Sequence, residues 1–375
     1  MKATGSGMAA SRPGLWAGGL AGALVALVVL GYIALWAVTA FQLRGGVLDW
    51  IEARQAEGYR VTHGSLGIGG FPRLARVTIG APVIAAPDGR ALSWSWAGGQ
   101  ATVEANPLHP DALTVRLSGE DAVSINVDGK LRTYRGTAEE LSLRAHGSSA
   151  APSLSLSVRG LAMAAEEPGD TIDIGRLIAN AEVLERQGAK AGRAYEVEIH
   201  GADIQLPRQF DLPLGQAFAA VDAEAVVRGM VSPRGDLPDA LARWRDMGGA
   251  VELGRVRLSY GPLDLQGSGT ASLDEGMQPV GTFMARIRGF QPTLAALAGR
   301  GLIDEQIAAK ARIALAILSR PGDDGIPVLS VPLSLHERRL SVGPLPLMVV
   351  PLVEWPRGPS PRTGELPPMA GAATG

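Results

Sequence analysis

A chain of 375 residues that is 46% apolar, 19% charged and 5% aromatic, with 49 Gly, 26 Pro and a net charge of −2, has the composition of a folded chain and excludes disorder as its main state. With no Cys, it also excludes a disulfide scaffold, a thiolate zinc site, an iron–sulfur centre and a lipid anchor on cysteine. The balance of 35 basic against 37 acidic residues gives no general pull on phosphate backbones, so nucleic acid is not an expected partner, and the length corresponds to roughly two to three domains.

The first 12 residues read as a short cytoplasmic tail carrying Lys2 and Arg12. Pro13 to Leu43 then runs without one ionisable acid or base. As a helix this stretch would be about 46 Å long, against a hydrocarbon core of about 30 Å, and a helix is the only form a single segment can take in lipid. Trp16 lies near one end, and Trp36 and Phe41 near the other, as interfacial aromatics do. The rival reading is a cleavable leader ending near Val38 and Ala40, but an apolar leader core is only about 7–15 residues long. The short tail and the long body beyond the span point to tail in, body out. Within the span Gly14, Gly18, Gly22 and Ala26 form a small-residue stripe, a candidate face for pairing with a second copy; a chain so rich in Gly and Ala also produces such stripes by composition.

Residues 44–58 read as a juxtamembrane amphipathic helix, with Val47, Leu48, Trp50, Ile51 and Ala53 on its apolar side. From Tyr59 the dominant period is two. Val123, Ile125 and Val127 alternate with polar residues up to an Asp128-Gly129 turn, the strongest hairpin signal in the chain. Similar alternation recurs through Leu141–Leu143, Leu154–Val158, Val197–Leu206, Leu253–Leu265 and Leu329–Val342. The predicted fold class is therefore mainly β: a transmembrane helix followed by a large curved antiparallel sheet, apolar on one face and polar on the other. Its first portion spans 59–231. The second, 232–350, adds helices at Pro238–Met247, Leu294–Leu297 and Ile303–Leu318, the last with Ile303, Ile307, Ala311, Leu315 and Leu318 on one face. The Pro/Gly-rich residues 351–375 read as a disordered tail.

No catalytic constellation emerges. The five histidines, His63, His109, His146, His200 and His336, are scattered, so no metal or cofactor is expected. Gly67-Ile68-Gly69-Gly70-Phe71-Pro72 begins like a dinucleotide fingerprint, but Pro72 replaces its third glycine, and a strand end or tight turn fits better. Adjacent acids such as Glu139-Glu140 and Glu166-Glu167 point different ways on a strand or a helix and read as solvated surface. Trp94 and Trp96 share one face of a strand at 91–97, with core packing favoured over a ligand platform.

Taken together, Gly58-Tyr59, Gly69-Gly70-Phe71-Pro72, Trp94 and Trp96, Asn106 to Pro110, Trp244 with Gly248-Gly249, Gly261-Pro262-Leu263 and Leu340 to Pro346, which includes Gly343 and Pro344, are familiar. In these motifs the chain resembles an alphaproteobacterial envelope family, the domain of unknown function 2125, over most of residues 45–350. The resemblance implies a single-pass inner-membrane protein with a periplasmic β-rich body, and carries no catalytic residue with it. A more distant likeness, in architecture only, is to the AsmA-like envelope proteins that carry lipid in β-grooves. The expected function is a non-enzymatic envelope protein shielding a lipid chain. The alternative is a scaffold with a closed apolar core that binds other envelope proteins; a hydrolase is the least favoured reading. An open or a sealed apolar face would separate the first two.

Overall fold

The computed structural model describes residues 14–87, 92–127, 130–147, 151–186, 192–229, 237–322, 324–342, 345–353 and 355. Its first element is one unbroken helix, α1 (Gly14–Ala56), which joins the two segments predicted at 13–43 and 44–58. Gly45 and Gly46 do not interrupt it. Each costs about 1 kcal/mol of helix propensity, but apolar side chains on either side of them pack on the body. Tyr32, Trp36, Ala40, Leu43, Val47 and Ile51 recur every three or four residues along one side of the helix, with Ala40 and Ile51 buried. On the other side Leu35, Val38 and Phe41 are exposed.

The body begins with β1 (Arg60–Thr62), β2 (Leu66–Gly69), β3 (Ala75–Gly80) and β4 (Val83–Ala85). Longer strands follow: β5 (Leu92–Asn106), β6 (His109–Val127), β7 (Lys130–Thr137), β8 (Glu140–His146), β9 (Ser153–Ala165), β10 (Thr171–Arg186), β11 (Gly192–Gln205) and β12 (Ala217–Arg228). After α2 (Leu237–Asp246) come β13 (Ala250–Tyr260), β14 (Leu263–Leu273) and β15 (Pro279–Arg288). Two helices, α3 (Phe290–Gly299) and α4 (Glu305–Leu318), precede β16 (Arg320–Pro321), β17 (Pro327–His336), β18 (Arg339–Val342) and β19 (Leu345–Val349).

These strands form one antiparallel sheet, built largely by neighbours in sequence. The predicted hairpin is present, with β6 and β7 pairing at Val127↔Lys130, although its turn residues 128–129 lie outside the described residues. The sheet runs across the expected boundary near residue 231 without a break, because β12 and β13 pair from Phe218↔Tyr260 to Arg228↔Ala250.

The predicted helices are present in the second half. In α4, however, the buried side is Ala308, Ala311 and Leu315, while Ile307 and Leu318 of the expected face are exposed. Small residues let the helix sit close to the sheet, and that contact, not the widest apolar stripe, sets its rotation. The tail is held at its start. Val353 N donates to Gln278 Oε1, Gln278 Nε2 donates back to Val353 O, and Trp355 Nε1 donates to Met277 O. Val353 and Trp355 are thus tied to the β14–β15 turn, while 354 and 356–375 of the expected tail lie outside the described residues.

Candidate functional site

The register of the sheet brings the alternating residues of a dozen strands into line. Starting on β3, the cross-strand partners are Val77, Val103, Val115, Leu143, Leu156 and Ala179. The same row continues through Ile199, Ala223, Val256, Gly267, Ala285 and Val331. Two residues along each strand lies a second row, from Ile79 through Leu117, Leu177, Val221 and Leu265 to Leu329. On the opposite side of the first is a third, from Ala75 through Leu113, Leu154, Val197 and Leu253 to Leu333. None of the residues named in these rows is polar. One strand position over, on the other face, the row reads Thr78, Thr102, Arg116, Ser142, Ser157, Ile178, His200, Asp222, Arg257, Gln266, Arg286 and Ser330. A period of two, kept in register across the sheet, therefore makes one apolar face and one polar face.

Helices seal both ends of the apolar face. At one end α1 packs against β3, where Ala75 and Val77 are fully buried. At the other, Phe290 and Leu294 of α3 and Ala311 and Leu315 of α4 pack on Leu329, Val331 and Val342. Between them Leu143, Leu156, Ala179, Ile199, Ala223 and Val256 are only half-buried, and Leu154 is 45% exposed. Among the described residues one helix, α2, covers a rim of this region, where Trp244 packs at Gly229 and Gly249 on the ends of β12 and β13. With strands about 4.8 Å apart, the apolar band is about 50 Å long across the sheet. The middle of the face is an open, water-accessible apolar band.

The rims are held by polar clamps. On one rim the Asp170 carboxylate, 1% exposed, accepts from Tyr134 Oη at 2.9 Å, Arg132 Nη1 at 3.0 Å and the Arg208 backbone N at 2.9 Å. Burial, and then the adjacent Asp170, push the Tyr134 phenol above its usual pKa. On another rim Trp244 of α2 donates its Nε1–H to Arg228 O at 2.6 Å, and Arg245 donates to the carbonyls of Asp274 and Glu275. Trp244, singled out from sequence, is thus a buried structural anchor.

The other singled-out residues divide differently. Trp96 is half-buried and donates to Asp121 Oδ1 at 3.1 Å, while Trp94 is 38% exposed beside Tyr59, so the core-packing expectation does not hold for Trp94. Its strand is paired on both sides, with β6 and beside β4, so the ring is exposed on the face of the sheet, where it meets Tyr59. Burial pushes the Asp121 carboxyl above the usual carboxylate range, and the Trp96 hydrogen bond opposes it. An acid whose folded pKa is raised binds its proton more readily in the folded state, so its charged form weakens the fold as pH rises above the carboxylate range. Asp121→Asn, which keeps an acceptor for Trp96, is expected to stabilise the protein at pH 7, with a gain that shrinks as pH falls. Urea midpoints of both proteins at pH 7 and pH 4.5 check this; a gain that grows on acidification would contradict it.

Gly70, Phe71 and Pro72 form the loop between β2 and β3 and dock α1. Tyr32 Oη donates to Pro72 O, Trp36 Nε1 donates to Leu74 O at 2.8 Å, and the Trp36 and Phe71 rings meet edge-on at 5.4 Å. Gly70 has φ 91°, and a Cβ there would lie 2.5 Å from Leu74 O, so no other residue fits without strain. Sequence spacing cannot reveal this contact, because the partners are about 40 residues apart. Of the small-residue stripe, Ala26 is exposed, while the surroundings of Gly14, Gly18 and Gly22 lie outside the described residues, as do Gly343 and Pro344. Among the described residues no three His, Asp or Glu side chains converge as a metal site.

No curated protein and no solved structure matches the chain. The family pattern described as uncharacterized protein conserved in bacteria (DUF2125) matches residues 36–351, from the docked half of α1 to the last strand. The chain belongs to that family.

Proposed function

We propose that this is a single-pass, membrane-anchored envelope protein, non-enzymatic, whose sheet shields the acyl chain of a lipid, with its body on the periplasmic side of the inner membrane. One observation carries the reading: the apolar band is closed by helices at its ends and left half-exposed in its middle. A face built only to pack on itself would hide Leu143, Leu156 and Ile199 as completely as it hides Val77 and Leu329. A leaflet's acyl chains span about 15 Å, half of the hydrocarbon core, so the open middle from β8 to β13, five strand spacings or about 24 Å, has room for one chain lying along it.

The same helix that would cross the membrane also closes one end of the band. An uncharged helix of 31 residues exceeds the hydrocarbon core by about 16 Å. That excess corresponds to the segment from Tyr32 onward that packs on the body. Residues up to Gly31 then suffice to cross.

The test is photocrosslinking of the full chain in its native membrane. A benzophenone side chain placed at Ile199, on the apolar face, is expected to capture lipid, and one at Glu198, its neighbour on the polar face, is not. Equal capture at both positions, or none at either, would refute the reading. The alternative, an interaction module, draws on the outer side of α4, where Ile313 and Ile317 are 66% and 78% exposed; protein adducts in place of lipid at Ile199 would favour it.

A further inference from the structure

The loop that docks α1 has a second side. Phe71 touches Trp36 with its ring and is still 53% exposed, and Arg73 beside it is exposed too. Next to them opens a cavity of about 470 Å³ lined by Gly70, Arg73, Leu74, Arg76 and Asn106. Two arginines, Arg76 and Arg116, already neutralise the buried Glu104, and Arg73 adds a further positive charge. The height of this loop along α1 is fixed by Tyr32 and Trp36. At that height the opposite side of the helix is still greasy: Leu35, Val38 and Phe41 are exposed there, continuous with the exposed run from Leu24 to Leu30.

A helix cannot present lipid-facing side chains on one side at a level where the other side stands in bulk water, unless that level is the interface. We infer that the Gly70–Arg73 loop is a lipid-contacting wedge. Phe71 enters the headgroup–acyl boundary, and the adjoining cationic cavity takes the phosphate of a lipid headgroup. The inference rests on the membrane-anchored reading above and adds to it the place where the body meets the bilayer. Aromatic rings favour this boundary, because the ring is apolar while neighbouring polar groups remain hydrated. Arginine suits the phosphates through its planar fork of donors.

The absence of Cys makes the test clean, since any introduced thiol is the only one. Full-length protein is reconstituted in vesicles of zwitterionic and anionic phospholipid, with single spin labels at Phe71→Cys, Arg73→Cys, Leu27→Cys and Met247→Cys. Met247, 70% exposed at the end of α2, is the water reference, and Leu27 is the lipid reference. Collision with oxygen against a water-soluble nickel complex is expected to place the Phe71 label about 5–10 Å inside the phosphate level. The Arg73 label should lie at that level. If Phe71→Cys loosens the docking, Arg73→Cys still reports the depth of the loop. Water-like values at both 71 and 73 with Leu27 in lipid would overturn the wedge and leave the anchor standing. Water-like values at Leu27 as well would overturn both.

Discussion

Trp244→Ala is expected to lower the unfolding free energy by about 3–5 kcal/mol, the range for removing a fully packed aromatic side chain. Trp244 is 4% exposed and projects from α2 onto the ends of β12 and β13. Its Nε1–H satisfies the Arg228 carbonyl, and its backbone carbonyl accepts from Gly249 N at 2.9 Å. The ring lies so close to Gly249 that a Cβ there would come within 2.3 Å of it. Ring and glycine are therefore one interlock, and Gly249→Ala should also destabilise, by overpacking, in the range of about 1–3 kcal/mol. Urea denaturation of each variant, followed by far-UV circular dichroism, gives the comparison. A Trp244→Ala protein within about 1 kcal/mol of the parent would show that α2 is an ornament on this rim and not its anchor.

A comparable loss, about 3–5 kcal/mol, is expected for Asp170→Ala, because removing one partner leaves the others buried without it. The phenol of Tyr134, 0% exposed, would lose its acceptor, and the Arg208 amide and Arg132 guanidinium would each lose one bond. Tyr134→Phe removes one hydrogen bond and keeps the ring, so its cost should be smaller, about 1–2 kcal/mol. In the double variant the two losses should not add, since both substitutions break the same contact. Additive losses in denaturant would mean that Tyr134 and Asp170 act separately, and the clamp as described would be wrong.

Both clamps concern the rims, while the functional proposal concerns the face between them. The face needs rims of this kind. A single sheet layer with a half-open apolar side lacks the second layer that ordinarily holds strands in register, and local polar locks replace it at the places where strands end.

Much of this architecture was legible in the chain itself. Thirty-one uncharged residues from Pro13 to Leu43 dictate a helix, and alternation such as Val123-Ser124-Ile125-Asn126 dictates strands with two unlike faces. Both signals are local: a period of two or of 3.6 is written within a few residues. Three features are not local and had to await the tertiary structure. The continuity from Val77 to Val331 depends on the register of eleven strand pairings, in which a slip of one residue at any pair would interrupt the row. The rotation of α4 depends on how closely Ala308 and Ala311 approach the sheet, and the apolar pattern of the helix alone chose Ile307 and Leu318 wrongly. The role of Gly70-Phe71-Pro72 depends on Tyr32 and Trp36 arriving from another element. Local hydropathy decided which residues shun water; only the folded sheet, with a helix over each end and, among the described residues, only the rim of its middle covered by α2, decided which of them remain within water's reach.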